Sequence, residues 1–140
     1  MTWVDLERKQ LEVDEGLRLK PYLDSEGVMT IGYGRNLESR GISHDEADVL
    51  LANDVKDHLG DCDKIVPGFR YLDDDRKGVC LNMCFNLGSA RLKTFRKFLA
   101  ALERRDYQTA AAEMKDSLWY VQVGARAERL VSRMLGSEYV

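Results

Sequence analysis

The feature that most constrains this chain is a change of hydrophobic period. Residues 17–34 alternate at period two, whereas most of the remaining chain repeats at helical spacing. Leu17-Arg18-Leu19-Lys20-Pro21-Tyr22-Leu23 alternates apolar and polar up to Pro21. The polar turn Asp24-Ser25-Glu26-Gly27 follows, and Val28-Met29-Thr30-Ile31-Gly32-Tyr33-Gly34 is again strand-like. Successive strand side chains point to opposite faces, so two such runs around a glycine-containing turn predict a β-hairpin. Proline lacks the N–H that a ladder needs, which confines the Pro21 strand to an edge or a bulge.

Helical signals flank this hairpin. Thr2 is placed to cap a helix running to about Asp14, with Trp3, Leu6, Val13 and Leu17 on or near its apolar side. Gly16 is expected to stop it as a left-handed C-cap glycine. Ser43-His44-Asp45-Glu46 is a capping box before Ala47, Val49, Leu50, Leu51, Val55 and Leu59, predicting a helix over about 44–60. Pro67-Gly68 marks a break. From Asp73 onward the chain reads as helices interrupted near Gly88, Arg105-Asp106, Trp119 and Gly124. The pattern predicts an α+β fold, mostly α, with the sheet confined to one small lobe and a long helix joining it to a helical lobe. A cleft between lobes is a common place for a ligand site.

With 140 residues, the chain is long enough for one domain with its own core. It contains no run of 18 or more apolar residues, so no membrane span is expected. Charges at Asp5, Glu7, Arg8 and Lys9 occupy the stretch that a signal peptide would keep apolar, so the protein is expected in the cytoplasm. Three cysteines cannot all pair within one chain. Cys80 and Cys84 are one helical turn apart, but no His or second Cys pair lies close in sequence, and buried apolar packing is the expected role of all three. No metal or cofactor is expected. Charge is uneven: residues 1–75 carry 9 Lys+Arg against 18 Asp+Glu, and residues 76–140 carry 12 against 6. The basic half, with the cluster Lys93, Arg96 and Lys97, is suited to face a polyanion.

Glu15 falls at the end of the first helix, Asp24 in the hairpin turn and Thr30 on the returning strand. Two carboxylates on elements folded back on each other suit glycoside hydrolysis. One protonates the leaving oxygen while the other activates water or attacks the sugar, and a hydroxyl such as that of Thr30 can hold the water. Spacing alone is weak evidence, because a helix-end Glu is usually a solvated surface residue and a turn Asp usually caps its own backbone.

Asp14-Glu15-Gly16-Leu17-Arg18-Leu19-Lys20, Tyr22, Asp24, Glu26-Gly27 and Thr30-Ile31-Gly32-Tyr33-Gly34 closely resemble the active-site segment of the T-even phage lysozymes, glycoside hydrolase family 24. Leu81-Asn82-Met83-Cys84-Phe85-Asn86-Leu87-Gly88 resembles the family's central buried helix. Ser117-Leu118-Trp119-Tyr120-Val121-Gln122 and Arg126-Ala127-Glu128-Arg129 resemble its C-terminal helices. The resemblance implies one lysozyme domain over 1–140, with a small lobe at about 14–60 and a helical lobe at about 1–13 plus 61–140, enclosing a groove for a sugar chain.

The resemblance further implies a catalytic set of Glu15, Asp24 and Thr30, at the family's spacings of nine and six. It implies substrate contacts from Asn86 and an Arg126 that pairs with the acid in the free enzyme. Trp119 has two placements open to it, the core or the groove wall. The implied activity is an endolysin that cleaves the β-1,4 bond between N-acetylmuramic acid and N-acetylglucosamine of peptidoglycan with inversion. It would act as a monomer without nucleic acid, membrane anchor or cofactor, reaching the wall after a holin permeabilises the host membrane. Arg35 stands where the best-known member has His, the amide at Asn86 is there a Gln, and residues 35–43 are much shorter. These departures bear on substrate preference. A lytic transglycosylase would need only one acid, and a non-catalytic glycan-binding or virion module would be marked by loss of Glu15 or Asp24; the chain keeps Glu15, Asp24 and Thr30.

Overall fold

The computed structural model describes residues 1–136, so the last four residues of the expected helical lobe lie outside the described residues. Helix α1 spans Trp3–Glu15. Its start is fixed by reciprocal capping: Thr2 Oγ1 accepts from the Asp5 N–H at 3.2 Å, and Asp5 Oδ2 accepts from the Thr2 N–H at 3.0 Å. Gly16 stops it, but not in the left-handed helical conformation that the sequence suggests. Its φ of 70° comes with a ψ of 153°, a region open essentially to glycine alone, and this throws the chain straight into an extended strand.

The sheet is antiparallel, in the order β1 (Arg18–Leu23), β2 (Met29–Gly32), β3 (Arg35–Asn36). Tyr22 pairs with Thr30 and Leu23 with Met29, and the register slips between Arg18 and Tyr22. Pro21 thus sits on an edge strand and within an irregularity, the two situations that tolerate a missing N–H. Strand β3 pairs Asn36 with Thr30 and Arg35 with Ile31, and it extends the hairpin that the sequence predicts.

Helix α2 spans His44–Ile65 and opens with the anticipated box: the Ser43 N–H donates to Glu46 Oε1 at 2.8 Å, and Glu46 N–H donates to Ser43 Oγ at 3.1 Å. It runs past the anticipated end near 60 because Gly60 stays helical and Cys62 gains complete burial. Pro67 then ends it, since a residue before proline is pushed out of the helical region.

After a short 3-10 turn at Phe69–Tyr71, six helices follow: α3 (Asp74–Leu87), α4 (Ser89–Leu92), α5 (Arg96–Glu103), α6 (Tyr107–Lys115), α7 (Leu118–Val123) and α8 (Ala125–Leu135). The breaks fall at Gly88 and Gly124 as the sequence suggests, and at Arg105, which adopts a φ of 57°. The break placed near Trp119 lies instead at Asp116-Ser117, because Ser117 Oγ caps the Tyr120 N–H and starts α7 before the tryptophan.

The chain divides into two compact units, Met1–Val49 and Leu50–Val140. In the first, α1 buries none of its residues, and Trp3, Leu6, Val13 and Leu17 are all exposed. A unit this small, built on one long helix and a short sheet, has too little interior to enclose an apolar helix face.

The second unit holds the core, in which Met83, Leu92, Phe98, Leu102, Met114 and Met134 are fully buried. Helix α8 packs against α3 and α6. Polar ties fasten it as well: Arg76 Nε donates to the Met134 carbonyl at 2.9 Å and Arg133 Nε donates to Asp75 Oδ1 at 3.2 Å, while the Arg76 guanidinium, 3.7 Å above the Tyr107 ring, ties α3 to α6. Cys62, Cys80 and Cys84 are free, buried thiols, as the sequence suggests. Burial pushes the Cys80 thiol up to about 12, keeping it protonated. Among the described residues no helix is long and apolar enough to cross a membrane.

Candidate active site

Glu15, Asp24 and Thr30 all lie in the first unit. Asp24 sits where β1 turns back, and its Oδ1 accepts from two backbone donors, Glu26 N–H at 2.8 Å and Val28 N–H at 2.9 Å. The Asp24 N–H in turn donates to the Val28 carbonyl at 2.9 Å. One carboxylate oxygen therefore anchors the side chain in its own turn, while Oδ2 accepts from none of the described residues. Thr30, 4% exposed, donates its hydroxyl proton to the same Val28 carbonyl at 2.8 Å. That leaves the oxygen lone pairs of Thr30 to accept. The Val28 peptide is thus a shared anchor that fixes the carboxylate and the hydroxyl relative to each other.

Glu15 projects from the last residue of α1 and is exposed. Its carboxyl group lies against Gly34. A Cβ added at Gly34 would stand 2.5 Å from Glu15 Oε2 and 3.0 Å from its Cδ. Gly34 also has a φ of 71°, so the backbone conformation favours glycine there, and any side chain would push the Glu15 carboxyl aside. Beyond it, Arg35 grips Glu46 with both terminal guanidinium nitrogens, Nη1 at 2.8 Å from Oε1, and donates from Nη1 to the Gly41 carbonyl at 3.1 Å. The Arg35 guanidinium and the Ser43 donors hold the Glu46 carboxyl at about 2, well below its usual range. At residue 35, one of the departures noted in the sequence, the structure supplies a bidentate ion pair that fastens β3 to the start of α2.

The second unit joins two more of the named residues. Trp119 is 2% exposed and packs edge-on to Phe95, so of its two placements it takes the core. Its indole N–H donates to Asn86 Oδ1 at 2.9 Å. An indole nitrogen only donates, so this bond fixes the amide orientation and turns the NH2 of the exposed Asn86 away from the core. Arg126 is held by Asn82, with Nε to Oδ1 at 2.8 Å. Both line a depression of about 310 Å³ with Leu51, Val55, Leu81 and Phe85.

Three contributors escaped the sequence reading. Asn82 lies one turn before Asn86 on α3 and shares its face, a spacing that the sequence displays. Gly34 lay within the quoted motif without an assigned role. Val28 acts through its backbone, which any residue would supply, so no sequence signal marks it.

The phage lysozyme family model matches residues 12–135. A Dictyostelium discoideum protein named Probable T4-type lysozyme 2 is 28% identical over 155 positions, covering 89% of this chain and 91% of that one. The pre-baseplate central spike protein Gp5 of Enterobacteria phage T4 is 29% identical, covering 91% of this chain, which spans 27% of that protein's length. The peptidoglycan hydrolase gp36 of Pseudomonas phage phiKMV is 28% identical, and the chain spans 15% of its length. The family match takes in the α1 end, the hairpin, the amide-bearing α3 and the C-terminal helices, and with it the chain belongs to the phage lysozyme family.

Proposed function

We propose that this chain hydrolyses the β-1,4 bond between N-acetylmuramic acid and N-acetylglucosamine in peptidoglycan, with inversion at the sugar carbon, and so lyses bacterial cells. The observation that carries the reading is the Val28 anchor. It leaves Asp24 Oδ2 and the Thr30 lone pairs unengaged in the same compact unit as Glu15. Glu15 is the general acid: its proton goes to the glycosidic oxygen as the bond to the anomeric carbon breaks. Asp24 Oδ2 takes one proton from a water whose oxygen attacks that carbon from the opposite face, while Thr30 Oγ1 accepts the water's other hydrogen. This requires carboxyl groups about 6.5–9.5 Å apart. The printed name of gp36 supports peptidoglycan as substrate.

Asn86 offers its free NH2 to acceptors on the glycan, and Arg126 offers its remaining guanidinium donors to the same class of ligand. Trp119 contributes by holding Asn86 rather than by touching sugar. The exposed Lys93, Arg96 and Lys97 attract anionic wall material. The protein is a monomer that stays in the host cytoplasm and reaches the wall once a holin opens the membrane.

Digestion of purified peptidoglycan tests the reading. Proton NMR of fresh product shows the α-anomer first, and mass spectrometry shows reducing ends. A β-anomer makes Asp24 a nucleophile, and a 1,6-anhydro product makes the protein a transglycosylase. Glu15→Gln loses at least about 10²-fold of the lytic rate with unchanged melting temperature, whereas Glu12→Gln, one turn earlier on α1, keeps the rate. Retained activity in both variants removes Glu15 from the mechanism.

A further inference from the structure

One of the three buried thiols meets polar side chains that apolar packing does not call for. Cys84, on α3, faces His58 and Asp61, which lie three residues apart on one side of α2. Cys84 Sγ is 3.6 Å from His58 Nδ1, and Asp61 Oδ2 is 3.5 Å from the same nitrogen. All three potential ligand atoms lie within 4.8 Å of one another. His58 stands 26 positions from Cys84, too far apart for a spacing motif to show in the sequence.

These separations can be compared with the edges of a metal tetrahedron. Zinc holds thiolate sulfur at about 2.3 Å, imidazole nitrogen at about 2.0–2.1 Å and carboxylate oxygen at about 2.0–2.2 Å. Tetrahedral angles then set the sulfur–nitrogen edge at about 3.5 Å and the nitrogen–oxygen edge at about 3.4 Å. The two measured edges agree with both values. The third, sulfur to oxygen, closes by a small swing of the Asp61 carboxylate, which is 35% exposed and free to move.

We propose that His58 Nδ1, Asp61 Oδ2 and Cys84 Sγ bind one Zn²⁺, with water in the fourth position, clipping α2 to α3. As the Zn–S bond forms, the Cys84 thiol releases its proton to solvent. His58 coordinates as the neutral imidazole with its proton on Nε2. One thiolate and one carboxylate balance the two positive charges, so no net charge is left in a half-buried place.

The surroundings suit this role. Phe85 meets the His58 ring edge-on at 5.2 Å and steadies its plane. The cation competes with a proton for the thiolate, so binding tightens as pH rises. Entry is from the Asp61 and His58 side, since Cys84 itself is fully buried. A second cluster, His44, Asp45 and Asp48, is wholly exposed and lacks a thiolate, which makes it an internal control.

The test is titration of the full chain, kept reduced, with Co²⁺ as a spectroscopic substitute and then Zn²⁺. One equivalent of Co²⁺ gives a thiolate-to-metal charge-transfer band that Zn²⁺ abolishes, and Zn²⁺ raises the melting temperature until a chelator reverses it. Cys84→Ser loses the band. His58→Gln and Asp61→Asn, at part-exposed positions that leave the fold intact, weaken Zn²⁺ binding at least about 10-fold, while His44→Gln changes nothing. Absence of the band in the parent protein overturns the proposal. So does parent-like Zn²⁺ affinity in both His58→Gln and Asp61→Asn, or loss of binding in His44→Gln alone.

Discussion

Among the described residues of the first unit, Thr30 is the one buried side chain, while Trp3 and Leu19 stand about four-fifths exposed. The second unit encloses Met83, Phe98, Leu102, Met114 and Met134 with almost no access to water. Their means of support differ accordingly. Residues 1–49 depend on capping boxes, the Asp24 and Thr30 bonds to Val28, and the Arg35–Glu46 pair. Residues 50–136 depend on apolar surface removed from water, at about 25 cal/mol per Å². The contrast teaches that a site can be positioned closely without a core beneath it, provided that hydrogen bonds and glycines fix the backbone. Packing then serves the fold, and polar bonds serve the chemistry.

The largest effect that sharpens this contrast is a paired truncation. Phe98→Ala, fully buried, should cost about 3–5 kcal/mol, whereas Leu19→Ala, 81% exposed, should change stability by no more than about 0.5 kcal/mol. Urea denaturation of the two variants measures this, and comparable losses would break the distinction between the units.

Next comes Gly34→Ala. The strained backbone costs about 1–3 kcal/mol, and the new methyl displaces the Glu15 carboxyl. Displacing a reacting group by about 1 Å can remove roughly 10²-fold in rate, so lytic activity should fall about 10- to 100-fold. Activity unchanged beside a lower melting temperature would reduce Gly34 to a backbone role.

Glu46→Gln should give the smallest effect, because its ion pair is only partly buried and solvent screens it. The folded carboxyl sits at about 2 against an ordinary 4.5, so its contribution is complete above about 4.5 and drains away as pH falls toward 2. Parent and variant melting curves should therefore differ near neutrality and converge at the acid end. A difference that persists at low pH would mean that Glu46 acts through packing.

Much of the fold was legible where a local rule decides it. Thr2, Ser43, Pro21 and Gly88 each act through neighbours within four residues, and each does what its chemistry dictates. What escaped depends on distant partners. The extension of α2 past Gly60 follows from burial of Cys62, and β3 is fastened by Glu46, eleven positions from Arg35. The exposure of the apolar side of α1 has a related cause: a period shows which residues share a face, not whether anything covers it. In the candidate site, Glu15, Asp24 and Thr30 are legible as candidates because the roles proposed for them belong to side chains. The Val28 peptide and the Trp119–Asn86 bond are not, since one is common to every residue and the other joins positions 33 apart.

The ties between α3 and α8 have a kinetic consequence. Arg76 to Met134 and Arg133 to Asp75 each close a loop of 58 residues. Closing such a loop costs about 3–4 kcal/mol of chain entropy before any contact across it returns stability. The hairpin, by contrast, joins residues only a few positions apart, as at Tyr22 and Thr30. Contact order therefore sets a sequence of events: the turn that carries Asp24 organises in microseconds, and the docking of α8 is the slow step. The segment richest in chemistry is the quickest to take shape, and the rate of reaching the native state is governed by helices that bear none of the proposed catalytic groups.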